Sequence, residues 1–235
     1  ALFFGDKRSP LQRVRKGDYD TPDELRELFG ELYRTEDVKI GDVAWMLVDA
    51  RREVRSLGTQ FILARQLPGT FQAVLKEALA RTGAPQRAML TLLPKILDPA
   101  GFEELVGMLR SGKPAERTVA IEGLLHFPAN RVSKHLIELL RHPNPEFRLR
   151  SLHKLTAELV DGAAMDRRLV TLIQARTDDP DERVRLAAFE LLAREPDEAF
   201  VAGILERLRR AGQDERLRLD KVLEQAGIEP DDALL

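Results

Sequence analysis

At 235 residues, with 43% hydrophobic and 32% charged content, the chain can bury a core beneath a charged, helix-rich surface. A formal net charge of −2 excludes strong global attraction to nucleic acid or to an anionic membrane, leaving only a local basic patch open. The absence of cysteine excludes disulfides, thiol catalysis and thiolate metal sites, and no apolar run reaches the roughly 18 residues of a membrane span, so a cytoplasmic location without membrane insertion is expected.

Residues 1–22 carry Lys7, Arg8, Arg13, Arg15 and Lys16 without a sustained period, broken by Pro10, Gly17 and Pro22. They are expected to form an extended arm over the first helices. The chain opens on Ala1 and stops at Leu235 without an obvious end, which is expected of a processed protein or an excised piece of a longer one. Thr21-Pro-Asp-Glu24 is a helix start, with Thr as N-cap, Pro at the first helical position and acids in the first turn. Leu25, Leu28, Phe29 and Leu32 follow at helical spacing. A second helix is expected from Asp37, with Val38, Val43, Met46 and Leu47 inward and Trp45 partly buried. This divides the chain into an arm and capping helix (1–36) and a longer array (37–235).

The array repeats itself. An arginine recurs early in successive helices as Arg55, Arg87, Arg117, Arg148, Arg185 and Arg218, at steps of 32, 30, 31, 37 and 33 residues. Before each arginine lies a turn, and before each turn an amphipathic helix with the register of Leu136, Leu139 and Leu140. The clearest copy is Asp179-Pro-Asp-Glu-Arg-Val-Arg185, followed by Ala187, Ala188, Leu191 and Leu192 on one face with Val184. The extra residues of the 37-residue step are assigned to a longer loop near Asp161–Asp166. A helical hairpin of about 30 residues cannot bury both apolar stripes alone and must stack on its neighbours.

The pattern turn-Pro-Asp-x-x-Val-Arg-x-x-Ala-x-x-x-Leu, seen from Asp179 to Leu192, resembles the HEAT repeat, close to the bacterial HEAT-like (PBS-lyase-type) variety. Asp49–Leu63, Asn144–Leu155 and Asp214–Leu223 match less well, and the units at Arg87 and Arg117 weakly. Over about residues 37–227, the resemblance implies an all-α, right-handed α-solenoid of about six HEAT-like helical hairpins. It also implies a ladder in which a turn aspartate meets an arginine of the same or next repeat. Asp49 and Asp179 stand six residues before Arg55 and Arg185, but Arg81, Ser111, His142 and Gly212 occupy the corresponding positions elsewhere. Either the arginines still pair structurally, or Arg87, Arg117 and Arg148 are freed to line a concave, anion-binding surface.

No nucleophile with a recognisable base, no Gly-rich phosphate loop and no cofactor or metal set is legible. His126, His135, His142 and His153 cluster in sequence but lack the i, i+4 spacing of helix-borne ligands, and surface or capping roles are expected. Two enzymatic alternatives come from resemblance alone: a HEAT-like DNA-binding enzyme of the alkylpurine DNA glycosylase kind, and a bilin-lyase-like protein. Nucleic acid is disfavoured by acids that outnumber bases 39 to 37 and by one Trp and two Tyr. Helical phase gives Arg52, Gln60, Glu122, Arg150, Lys154, Glu190 and Lys221 as a candidate partner-binding face, joined by Arg87, Arg117 and Arg148. The expected function is a non-enzymatic scaffold or adaptor that binds a protein or peptide, without cofactor or catalytic residue.

Overall fold

The computed structural model describes residues 8–35, 37–158 and 167–228. The protein is all-helical, with no strand among the described residues. Its contacts fall into two compact units, Ala1–His126 and Phe127–Leu235. No helix is long and apolar enough to cross a membrane.

The first unit contains α1 (Pro10–Lys16), α2 (Pro22–Arg34), α3 (Ile40–Val43), α4 (Arg52–Arg65), α5 (Thr70–Leu79), α6 (Gly83–Leu90), α7 (Pro99–Gly107) and α8 (Pro114–Leu124), with 3-10 turns at Ala44–Val48, Leu93–Lys95 and Met108–Arg110. Within the expected extended arm, Pro10–Lys16 is helical instead. Ser9 and Gln12 form a reciprocal capping box, Pro10 opens α1 and Gly17 closes it at φ 77°. Val14, fully buried, fixes this short helix against α2. The residues of the arm before Arg8 lie outside the described residues.

Thr21 caps α2 as expected, its hydroxyl accepting the Glu24 N–H at 3.2 Å, and Leu25, Leu28, Phe29 and Leu32 are buried. The next helix starts at Ile40 and not at Asp37, because Asp42 supplies the capping carboxylate to the Lys39 N–H at 3.1 Å. Trp45 is half-buried, donates to the Asp42 carbonyl at 2.8 Å and lies beneath the Arg15 guanidinium. Phe61 of α4, fully buried, meets Phe29 and Tyr33 of α2 edge-on at centroid distances of 6.4 and 4.9 Å. Within the unit α5 packs on α6, and α8 packs on α5, α6 and α7.

Two glycines set the closest approaches. A Cβ on Gly58 of α4 would lie 2.4 Å from the Met46 Cβ, and one on Gly101 of α7 would lie 2.5 Å from Cγ of the Phe71 ring. Gly101→Ala is therefore expected to cost about 1–3 kcal/mol by overpacking against a rigid ring. Gly30→Ala, mid-helix with open space around it, should gain about 0.5–1 kcal/mol. Urea unfolding of the full chain measures both, and equal effects at the two positions would refute the close packing.

The second unit contains α9 (Ala129–Leu140), α10 (Pro145–Glu158), α11 (Arg167–Gln174), α12 (Glu182–Leu192), α13 (Glu198–Arg210) and α14 (Gln213–Gln225). Here α9 packs on α10 and α11, while α12 is surrounded by α10, α11, α13 and α14. That setting explains why Arg185, Leu186 and Phe189 of α12 are buried together with the expected Val184, Ala187, Ala188, Leu191 and Leu192. Asp181 caps α12 through the Arg183 N–H at 2.9 Å, and Asp197 caps α13 through the Phe200 N–H at 2.7 Å. The loop assigned to Asp161–Asp166 lies outside the described residues.

Candidate functional site: turn-bracing arginines and a cationic groove

Four of the recurrent arginines do the same work. Arg55, Arg117, Arg148 and Arg185 each donate Nη1 to the carbonyl six residues earlier, at Asp49 (2.5 Å), Ser111 (2.5 Å), His142 (2.7 Å) and Asp179 (2.8 Å). Three of them also reach the next carbonyl, at Ala50, Pro143 and Pro180. The acceptor is backbone, so the side chain six residues earlier need not be acidic. This is why Ser111 and His142 serve as well as the two aspartates.

The other two arginines depart for visible reasons. Gln86 takes over the turn, its Nε2 donating to the Arg81 carbonyl at 2.6 Å and the Ala78 carbonyl at 3.0 Å, and Arg87 is left exposed. In α14 Arg216 reaches the Leu208 carbonyl at 3.1–3.2 Å, while Arg218 turns to Glu182 at 3.5 Å.

Carboxylates complete the bracing in the second unit, with partners that sequence spacing does not give. The Asp179 carboxylate, fully buried, accepts Nε and Nη2 of Arg148 at 2.8 and 2.7 Å, and Oδ1 also accepts the Asp181 N–H. Asp179 thus meets Arg148 of α10 by side chain and Arg185 of α12 by carbonyl. Arg148 is consequently not freed for an exposed anion-binding face: it is 7% exposed and bidentate on Asp179. Glu215, in the first turn of α14, joins Arg185 (2.8–2.9 Å) and Arg207 (2.7–2.9 Å). The hydrogen-bonded Arg207 guanidinium, and then Arg185, hold the Glu215 carboxyl below its ordinary range against the upward push of burial. In the first unit the Asp49 carboxylate goes to Arg51, which also reaches the Val14 carbonyl and so ties α1 to the start of α4.

A separate open groove of about 470 Å³ lies between one face of α4 and the end of α6 with the turn after it. From α4 it is lined by Arg52, Arg55, Ser56, Thr59, Gln60 and Leu63, residues at helical spacing on one side. Met89, Leu92 and Lys95 face them, with buried Leu47 beneath. Gln66 holds the far wall. Its backbone is left-handed at φ 47°, its Nε2 donates to the carbonyls of Leu63 and Lys95 at 2.7 and 3.0 Å, and its Oε1 accepts the Leu97 N–H at 2.9 Å.

Of the expected partner-binding residues, the structure brings Arg52 and Gln60 together in this groove, with exposed Arg87 one position before groove-lining Ala88. Arg117 is half-buried and engaged with its turn, and Glu122 of α8 is half-buried. In the second unit Arg150 and Lys154 of α10 are half-buried and Lys221 is exposed. Glu190 lines a smaller, more polar hollow with Thr156, Ala193, Arg194 and Gln225. Sequence reasoning missed Arg55 and Lys95 as groove residues. Arg55 had a signal, standing three residues after Arg52 on the same face. Lys95 had none, because it follows Pro94 in a 3-10 turn that breaks the phase of α6.

His142 Nδ1 accepts the Asn144 N–H at 3.1 Å, a local capping role. Among the described residues no group of three or more His, Asp or Glu is placed to hold a metal ion.

No family model and no curated protein matches the chain. Solved structures do. One crystal structure of an engineered protein, from the Northeast Structural Genomics Consortium, is 15% identical with a TM-score of 0.47, covering 97% of this chain and 70% of that one. A second engineered protein from the same consortium is 15% identical with a TM-score of 0.45, covering 82% of this chain and 97% of that one. At this level of likeness, fold detail and function rest on the residues themselves.

Proposed function

We propose that the protein is a non-enzymatic interaction module, a scaffold or adaptor whose repeated helix pairs present partner-binding grooves. In this reading the chain is a HEAT-like, right-handed α-solenoid of about six hairpins working in the cytoplasm. Turn-bracing arginines support the repeat, since Arg55, Arg117, Arg148 and Arg185 each use the same i−6 carbonyl in a different pair. The observation that carries the function is the groove on α4 and α6, where polar and apolar side chains converge on open space. Extended helical-repeat surfaces bind partners through many moderate contacts of this kind.

Two measurements on the full chain test it. Solution scattering should give a radius of gyration clearly above the roughly 18 Å of a compact globule of this length. A photo-crosslinking amino acid at Gln60, inside the groove, should capture a protein from the native cell that the same group at exposed Glu27 of α2 does not. Capture of nucleic acid at Gln60, with binding that falls steeply as salt rises, would instead favour the DNA-enzyme alternative.

A further inference from the structure

We propose that the groove between α4 and α6 receives an acidic amphipathic helix of a partner protein. This deepens the interaction-module reading and rests on it.

The floor is apolar: Leu47, Met89 and Leu92 are buried and Leu63 is half-buried, a surface in which a flexible thioether adapts to the side chain laid on it. The rim is cationic. Arg52, Arg55 and Lys95 all line the groove, and no lining residue is acidic. In a chain whose acids outnumber its bases 39 to 37, this is a local reversal of sign.

Two of the rim charges have no internal carboxylate partner among the described residues. Arg52 and Lys95 are exposed, with no carboxylate in salt-bridge reach among the described residues. Arg55 binds two carbonyls, which orient its guanidinium without cancelling its charge. The nearest turn acid, Asp49, has both carboxylate oxygens on Arg51 and offsets Arg55 only at a distance, without a hydrogen bond to its side chain. Arg87 adds a third exposed cation beside Ala88, because Gln86 has relieved it of the turn.

The dimensions suit a helix. From Arg52 to Leu63 the groove follows α4 for about 17 Å, or three turns at 1.5 Å per residue, the reach of anchors at i, i+3, i+4 and i+7. The Gln66 clamp fixes Lys95 relative to α4 before any partner arrives, which lowers the ordering cost of binding. Nucleic acid fits this lining poorly. An apolar floor gives nothing to a phosphate backbone, and no aromatic side chain lines the groove to stack on a base.

The test is fluorescence anisotropy on the full chain with a labelled, stapled helix of about four turns, with leucines at i, i+3, i+4 and i+7 and glutamates on both flanks. It should bind saturably. Lysine for glutamate, or serine for leucine, in the probe should weaken binding at least about tenfold. The Arg52→Glu, Lys95→Glu double variant, its fold checked by circular dichroism, should lose the acidic probe and gain the lysine probe. That exchange separates a charge-read groove from a damaged one.

Equal binding of acidic and basic probes, no binding of either, or displacement of the acidic probe by a duplex oligonucleotide overturns the proposal. If Gln60 still crosslinks a cellular protein while the acidic probe fails, the groove is an interaction site and only the partner chemistry is wrong. If both fail, the interaction-module reading fails with it.

Discussion

Asp179→Ala is expected to lower the unfolding free energy by about 3–5 kcal/mol, the cost of removing one partner from a buried ion pair. The magnitude follows from what remains. Arg148 would keep its bonds to the His142 and Pro143 carbonyls, but its Nε and Nη2 would point at a cavity with no acceptor. The Asp181 N–H at the entry to α12 would lose its acceptor as well. Replacing the pair together, as Arg148→Met with Asp179→Leu, should recover only part of the loss. Arg148 no longer strands a charge, but the His142 and Pro143 carbonyls, the Asp181 N–H and the Arg176 guanidinium lose their partner. Urea unfolding of the full chain reads both variants. A single variant within 1 kcal/mol of the parent would refute the pairing.

The second large effect centres on Glu215, which serves two arginines at once. Glu215→Ala should cost about 3 kcal/mol, the low end of that range, because Arg207 is partly exposed and can turn to water while Arg185 cannot. The pair also predicts a pH dependence. The folded-state carboxyl titrates lower than the unfolded one, chiefly through the Arg207 hydrogen bond and then Arg185. Its stabilisation is therefore complete above the ordinary glutamate value of about 4.3 and lost as pH falls through the lowered folded value. Stability measured from pH 7 downward should fall below about pH 4.3, and Glu215→Gln should fall less steeply over the same window. Parallel curves for the two chains would show that Glu215 does not carry the dependence.

Helical content was legible because it rests on local rules. Thr21 announced its helix by chemistry, and Val184, Ala187, Ala188, Leu191 and Leu192 by spacing. Pro10–Lys16 escaped because seven residues are too few to show a period, and the Ser9–Gln12 box was its only mark. The turn braces were legible in their arginines and not in their acceptors. A backbone carbonyl has no letter of its own, so His142 before Arg148 read as a missing partner when its carbonyl was the partner. The carboxylate on Arg148 comes from Asp179, 31 residues further on, a pairing that only packing of α10 against α12 creates. Glu215 was hidden for a related reason, lying inside the first turn of α14 and not in the turn before it. Arg52 and Gln60 emerged from helical phase, while Lys95 sits where phase has been interrupted.

A joint made to main-chain oxygen is indifferent to spelling. Any amino acid can stand at the sixth position before Arg55, Arg117, Arg148 or Arg185 and still close the corner. Its side chain is thereby released for other employment, as Asp179 illustrates by reaching back from the turn before α12 to Arg148 of α10. Lineages built on such corners can diverge widely in their letters while every elbow keeps its angle.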